Sequence, residues 1–268
     1  MITTNSAPPA AINAGSSDSL IHATLYANTA AEYEAATHGI YASAGAQLDE
    51  LLRNAGHTAA LEQSGDFRSL PPAIILDVDE TVLDNSPFEV RLIEDGTSYP
   101  TGWSEWCNES AARPIPGALD FLHDAAGKGV TIFYVTNRKE PVKAGTHANL
   151  VKHGFPMTEG VDTLMMRDGR PEWDSDKTSR RAVIAEDYRV VMLFGDNAGD
   201  FVGLGDAKGT AAERSRALEA HADKWGRSWF MLPNPMYGYW DESAIDGNYQ
   251  QPTAELNRLR VRAMDSKR

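Results

Sequence analysis

The stretch from Ala73 to Thr81, Ala-Ile-Ile-Leu-Asp-Val-Asp-Glu-Thr, limits most tightly how this chain can fold. Four apolar residues run without alternation into two carboxylates one residue apart. A short continuous apolar run suits a strand buried on both faces, as in a parallel sheet covered by helices. Pro71-Pro72 keeps a helix from running into it. Such sheets place chemistry just outside the carboxyl ends of their strands. Asp77 and Asp79 are therefore expected at the mouth of the sheet, on one side of the chain, with Val78 turned away. Two close carboxylates repel, and one is driven toward protonation. That divides labour between an ionised nucleophile or metal ligand and a proton donor. A strand ending in a polar turn would explain this stretch equally well, so the rest of the chain decides.

Three further apolar runs end in polar clusters or turns. Val130 to Val135 ends in Thr136-Asn137-Arg138, and Val190 to Phe194 ends in Gly195-Asp196-Asn197-Ala198-Gly199-Asp200. Trp229 to Leu232 ends at Pro233, and Thr163 to Met166 reads as a shorter strand. Helical spacing covers Leu20 to Leu52 as one long amphipathic helix, through Ile21, Leu25, Tyr33, Ile40, Tyr41, Ala44, Leu48, Leu51 and Leu52. Ser17 to Ser19 offers its N-cap and Gly56 its stop, and Gly39 and Gly45 are its candidate break points. Further helices are predicted at Phe88–Glu94, from Pro116, at Glu140–His153, Asp176–Asp187, Ala211–Trp225 and Ala254–Met264. Strands alternating with helices predict an α/β fold with a mainly parallel sheet and right-handed crossovers. The organisation read from the sequence is a flexible leader over 1–19, a helical segment over 20–70, a catalytic core over 71–235, and a tail over 236–268. An aromatic insertion over 84–115 interrupts the core and predicts a small, mostly helical cap.

The formal charge of −13 argues against a nucleic-acid polymer as partner, because neutralising phosphates requires basic patches. An anionic substrate would need a metal ion or a few placed cations. Cys107 is the only cysteine, so no intrachain disulfide can form; it reads as a small buried residue. The seven histidines lack zinc-ligand spacing. No apolar run approaches the roughly 20 residues of a membrane span, and Met1 to Ser19 lacks the charged start and apolar core of a signal peptide.

In a parallel sheet the strand ends share one edge, which gathers Asp77, Asp79, Thr136, Asp196 and Asp200, with Lys177 opening the helix before the Asp196 strand. Carboxylate oxygens suit Mg²⁺, and a hydroxyl and an ammonium can hold phosphate oxygens, so the set fits Mg²⁺-assisted phosphoryl transfer. Asn137, beside Thr136, is a further candidate for substrate binding.

Asp77-Val78-Asp79-Glu80-Thr81 matches the D-x-D-x-T signature of the haloacid dehalogenase (HAD) superfamily, and Thr136, Lys177 and Gly195 to Asp200 match its other motifs in order. Two longer strings, Ile75 to Ser86 and Leu232 to Gly238, resemble the class C bacterial acid phosphatases, typified by an outer-membrane lipoprotein that acts on nucleoside monophosphates. The helix containing Glu32-Tyr33 also looks like that family's first helix. The resemblance implies a HAD-like Rossmannoid core, Asp77 as nucleophile and Asp79 as general acid and base. It further implies Mg²⁺ held by Asp77, the Asp79 carbonyl and Asp196, with Asp200 orienting Lys177 or a bound water. Thr136 and Lys177 would hold the phosphoryl group. For Asp79 to start protonated its pKa must rise; nearby Asp77 and Asp196 would push it that way, while the metal opposes them. Trp103 and Tyr237 fall where the family places a base-binding aromatic pair, with Phe88 a further candidate; packing within the cap is the competing reading. The expected activity is that of an acid phosphatase on 5′-nucleotides or aryl phosphates. The alternatives are a phosphotransferase using the same site and a non-enzymatic nucleoside- or haem-binding envelope protein. A homodimer and a periplasmic, envelope or secreted location follow from resemblance alone. The lipid-attachment cysteine of anchored members has no counterpart, since the only cysteine is Cys107.

Overall fold

The computed structural model describes residues 18–247 and 249–264. The leader expected over 1–19 lies outside the described residues except at its end, and so does Ser17 of the expected N-cap.

The N-terminal helical stretch is two helices, α1 (Asp18–Thr29) and α2 (Ala31–Arg53). The break falls at Ala30, whose backbone is extended, and not at Gly39 or Gly45, which lie inside α2. The Thr29 hydroxyl donates to the Leu25 carbonyl at 2.7 Å, a side-chain bond that competes with helix continuation. Tyr26 and Tyr33 meet edge to face across the bend. The bend sends α1 along the cap helix α3 (Ser86–Asp95), while α2 lies on the core. Tyr33, Thr37, Tyr41, Ala44 and Leu48 form the buried stripe of α2, at the three- and four-residue spacing of one helix face.

The main sheet holds five parallel strands: β1 (Pro72–Leu76), β4 (Thr131–Lys139), β5 (Leu164–Arg167), β6 (Arg189–Gly195) and β7 (Trp229–Met231), in the order β5-β4-β1-β6-β7. Between β1 and β4 the chain forms a two-stranded antiparallel ribbon, β2 (Leu83–Asp84) with β3 (Arg113–Pro114). The cap helices α3 and α4 (Trp103–Glu109) leave and return through this ribbon. Helices α5 (Ala118–Gly127), α6 (Lys143–Lys152) and α7 (Thr178–Asp187) make the crossovers. Alternate β1 residues feed opposite layers: Ile74 and Leu76 join the core with Tyr41, Leu48 and Phe121, whereas Ala73 and Ile75 join Phe133, Ile184 and Trp229. The continuous apolar run is thus a strand covered on both faces.

Several boundaries differ from the sequence reading. β4 extends past Val135 to Lys139, with an irregular register between Thr136 and Lys139. After α8 (Leu204–Ala207), α9 (Ala211–Glu219) stops short of Trp225, which packs against Trp229 in the sheet layer. The tail folds as α10 (Tyr239–Ala244) and α11 (Thr253–Ala263), joined by Arg260 on Asp241 at 2.7 and 2.8 Å. Among the described residues no helix is long and apolar enough to cross a membrane.

Candidate active site

The order of strands reverses direction between β1 and β6, and open parallel sheets bind ligands in the crevice beyond such a point. β1 ends at Leu76, and the Asp77 amide continues the pairing by donating to the Phe194 carbonyl at 3.0 Å. The chain then turns sharply. The amides of Val82 and Leu83 both donate to the Val78 carbonyl, and Glu80 takes a left-handed backbone at φ 52°. Glu80 is buried and accepts the Asn85 amide at 2.7 Å and its Nδ2 at 3.2 Å, which fixes the turn. From the other side the Tyr41 hydroxyl donates to the Thr81 carbonyl at 2.7 Å, so α2 also braces it.

On the sheet side, Asp77, Asp196 and Asp200 offer ligand oxygens within 4.8 Å of one another. Lys177, the N-cap residue of α7, places Nζ 2.6 Å from Asp77 Oδ1 and 2.6 Å from Asp200 Oδ1. The second Asp200 oxygen accepts the Asn197 amide at 2.9 Å. Asp196 Oδ2 accepts Asn234 Nδ2 at 2.8 Å, while Asn234 Oδ1 caps the amides of Met236 and Tyr237. The string from Leu232 to Gly238 therefore reaches the acid cluster through Asn234. Gly195 has no room for a side chain, because a Cβ there would fall inside the Asp200 carboxylate.

Burial pushes the Asp77 carboxyl up to about 7, opposed by Lys177 and reinforced by Asp200 and Asp79. Burial, then Asp200 and Asp77, raises Asp196 well above the carboxylate range. Burial works against the Lys177 ammonium, but Asp200 and Asp77 hold its pKa above the ordinary value. With all three acids ionised, the cluster would carry more negative charge than Lys177 offsets, on hard oxygen donors alone. A divalent cation fits that donor set.

On the cap side, Asp79 has different partners. Its Oδ1 accepts Arg138 Nε at 2.9 Å and Asn85 Nδ2 at 2.8 Å, with Arg138 Nη2 also at 2.8 Å. Oδ2 lies 3.5 Å from the Thr136 hydroxyl. The Arg138 side chain is 1 % exposed and also donates to Thr146 Oγ1 at 3.1 Å and Asn85 Oδ1 at 3.0 Å. The fold thus sets a buried guanidinium, which the sequence reading did not anticipate, directly against Asp79. Arg138 follows Thr136-Asn137 directly, and the irregular register of β4 there turns it inward. Trp106 Nε1 donates to Asn85 Oδ1 at 2.8 Å, tying the cap to the same network.

The aromatic candidates separate. Phe88 is 2 % exposed and packs edge-on to Trp103, so it backs the aromatic wall. Trp103 is half-buried, with the Arg138 guanidinium 5.2 Å from its ring. Tyr237 is half-buried against the same core layer. Tyr99, which sequence reasoning passed over, is 65 % exposed and meets Trp103 edge-on. Asn137 Oδ1 accepts Arg180 Nη2 at 2.6 Å, and its Nδ2 donates to the Ser175 carbonyl at 3.1 Å. Asn137 is thereby engaged in tying β4 to α7 and the segment before it.

An α/β core with a helical cap and four acids at the β1/β6 switch point defines a HAD-like protein. Residues 12–240 match the HAD superfamily, subfamily IIIB (acid phosphatase), and the chain belongs to that family. Its fold is similar to the class C acid phosphatase from Bacillus anthracis, with a TM-score of 0.80 and 32% identity, covering 94% of this chain and 99% of that one. The tungstate-bound structure of that enzyme gives a TM-score of 0.81 and 30% identity. A stem 31 kDa glycoprotein of Glycine max is 31% identical over 170 residues, and the chain spans 58% of its length. Acid phosphatase 1 of Solanum lycopersicum is 25% identical over 201 residues, 71% of this chain and 68% of that protein.

Proposed function

We propose that this chain hydrolyses phosphomonoesters with Mg²⁺ through an aspartyl-phosphate on Asp77. One observation carries the reading: in a member of an acid phosphatase family, Asp77, Asp196 and Asp200 converge within 4.8 Å with Lys177 Nζ 2.6 Å from Asp77. The tungstate-bound relative supports it, since tungstate, like phosphate, is a tetrahedral oxyanion.

Asp77, the Asp79 carbonyl and Asp196 would hold the ion, which when bound offsets the charge of the phosphoryl group and of these acids. Asp200 holds Lys177 in place at 2.6 Å and acts through it. An ionised oxygen of Asp77 forms a bond to phosphorus as the ester P–O bond breaks. Asp79 gives a proton to the departing alcohol oxygen and becomes a carboxylate. Its Oδ1 is held by Arg138 and Asn85, which leaves Oδ2, on the Thr136 side, to carry that proton. The Thr136 hydroxyl and the Lys177 ammonium hold the non-bridging oxygens and offset their charge. In the second step Asp79 takes a proton from water, the water oxygen bonds to phosphorus, and the bond to Asp77 breaks, releasing orthophosphate. Trp103, Tyr237 and Tyr99 offer aromatic faces for a nucleobase or aryl leaving group, worth about 1–3 kcal/mol per stacked base. Nucleoside 5′-monophosphates and aryl phosphates are the substrates this wall fits. A homodimer and an exported or envelope location complete the reading on family resemblance.

A phosphate-release panel tests it, using nucleoside 5′-monophosphates, aryl phosphates and sugar phosphates with Mg²⁺ and with a chelator. Mg²⁺-dependent release that favours the first two classes is expected. Release indifferent to the chelator, or none from any ester, contradicts it.

A further inference from the structure

The start of α7 carries three buried cations at positions i, i+3 and i+4: Lys177, Arg180 and Arg181. That spacing sets them on one helix face, turned toward the strand ends. Lys177 bridges Asp77 and Asp200, but the two arginines touch neither carboxylate through hydrogen bonds. Each holds a different loop instead. Arg180 Nη1 donates to the Thr136 carbonyl, and its Nη2 donates to Asn137 Oδ1 at 2.6 Å and to the Asp174 carbonyl at 3.0 Å. Arg181 Nη1 donates to the carbonyls of Gly199 and Asp200 at 3.0 and 3.1 Å. Its other nitrogens are held by Glu62 Oε1, at 2.9 Å from Nε and 2.7 Å from Nη2, and Nη2 also reaches Thr178 Oγ1 at 3.3 Å. Glu62 comes from the segment that joins α2 to β1.

Helix-to-sheet adhesion does not need this arrangement. Burying a guanidinium costs several kcal/mol, and well-packed apolar residues often replace buried ion pairs without loss of stability. What apolar residues cannot do is fix the position of a backbone carbonyl. A planar fork with five N–H donors can, and both arginines use theirs on loop carbonyls.

We propose that Arg180 and Arg181 are separate positioning residues: Arg180 sets the phosphoryl-binding stretch of β4 at Thr136-Asn137, and Arg181, braced by Glu62, sets the metal-binding loop from Asp196 to Asp200. This assignment rests on the phosphatase reading above. It predicts that the two halves of the site come apart under substitution. Partners that orient metal ligands without touching the metal typically change its affinity 10–100-fold.

The test is calorimetric titration of the full chain with Mg²⁺ alone, and then with inorganic phosphate at saturating Mg²⁺. Unsubstituted protein that binds neither overturns the phosphatase reading itself, and does so before any variant is made. Arg181→Lys and Glu62→Gln are expected to weaken Mg²⁺ about tenfold or more while phosphate affinity at saturating Mg²⁺ stays within about twofold. Arg180→Lys is expected to do the reverse. Lysine keeps the charge and loses the fork, so charge alone predicts no change. Equal losses of both affinities in every variant, or a lowered Tm with both affinities intact, overturn the proposal. If Arg181→Lys does not fold, Glu62→Gln decides: unchanged Mg²⁺ affinity there overturns the Arg181 half. Failure of Arg180→Lys to fold assigns Arg180 to the scaffold and overturns its half.

Discussion

Asp77 and Asp79 stand two residues apart and are held by opposite halves of the molecule. Asp77 looks into the sheet, where Lys177, Asp196 and Asp200 arrive on strand-end loops and a helix start. Asp79 looks toward the cap, where Arg138 from β4 and Asn85 from the cap's first turn hold one oxygen and Trp106 holds Asn85. On the sheet side acids outnumber their cation, and burial raises the proton affinity of Asp77 and Asp196. On the cap side a carboxylate has its own guanidinium, and that guanidinium is held by three side chains. On the proposed mechanism, one half holds charge and the other fixes the oxygen that handles a proton. The cap therefore reaches the chemistry through Asn85 as well as through its aromatic wall, while Arg138 comes to Asp79 from β4 of the main sheet.

The largest expected effect that would break this division comes from Asp79→Asn. General acid–base catalysis contributes about 10²–10⁴-fold, so kcat on a nucleoside monophosphate should fall by that order. An aryl phosphate with a good leaving group needs the proton less and should suffer less. Equal losses on both esters would remove Asp79 from the proton-handling role.

The next effect concerns the sheet side. The Asp77 carboxyl is raised from an ordinary 3.8 to about 7. The native state therefore keeps a proton over a range where the unfolded chain has released it. That contribution to stability is complete below 3.8 and is lost as pH rises through about 7. Chelator-treated protein should lose on the order of a few kcal/mol between about pH 4 and pH 8, and Asp77→Asn should flatten that slope. Denaturant titration at several pH values checks it, and an unchanged slope in the variant would contradict it. Gly195→Ala should cost about 1–3 kcal/mol of stability, since its methyl group displaces the Asp200 carboxylate. Chemical denaturation measures that, and a neutral result would mean the loop has slack. Trp106→Phe sharpens the comparison from the cap side. It removes one hydrogen bond to Asn85, worth about 1 kcal/mol, and should lower kcat slightly while leaving Mg²⁺ affinity unchanged.

The sheet side was largely legible in the sequence because its parts are strand ends. Apolar runs announce strands, and parallel strands bring Asp77, Thr136 and Asp196 to one edge without knowledge of any side-chain contact. The cap side was not. Arg138 reads as an ordinary charge after a strand, and only its partners Asp79, Asn85 and Thr146 reveal why it is buried. Arg180 and Arg181 were hidden for the same reason. β2 and β3 have two residues each, too few for a period to register. The division of the first helix at Ala30 depends on where α1 meets the cap, a tertiary fact that outweighs the local weakness of Gly39 and Gly45. Trp225 looked like the end of a helix because its apolar ring is used in packing against Trp229 and Phe201.

The proposed mechanism makes the Asp77 carboxylate the group that attacks phosphorus. Phosphate release by Asp77→Asn in saturating Mg²⁺, beside the unsubstituted protein and with circular dichroism confirming the fold, tests it most directly. No detectable turnover from a folded variant is the predicted result. Turnover within about tenfold of the unsubstituted protein, less than a lost nucleophile should cost, would contradict it.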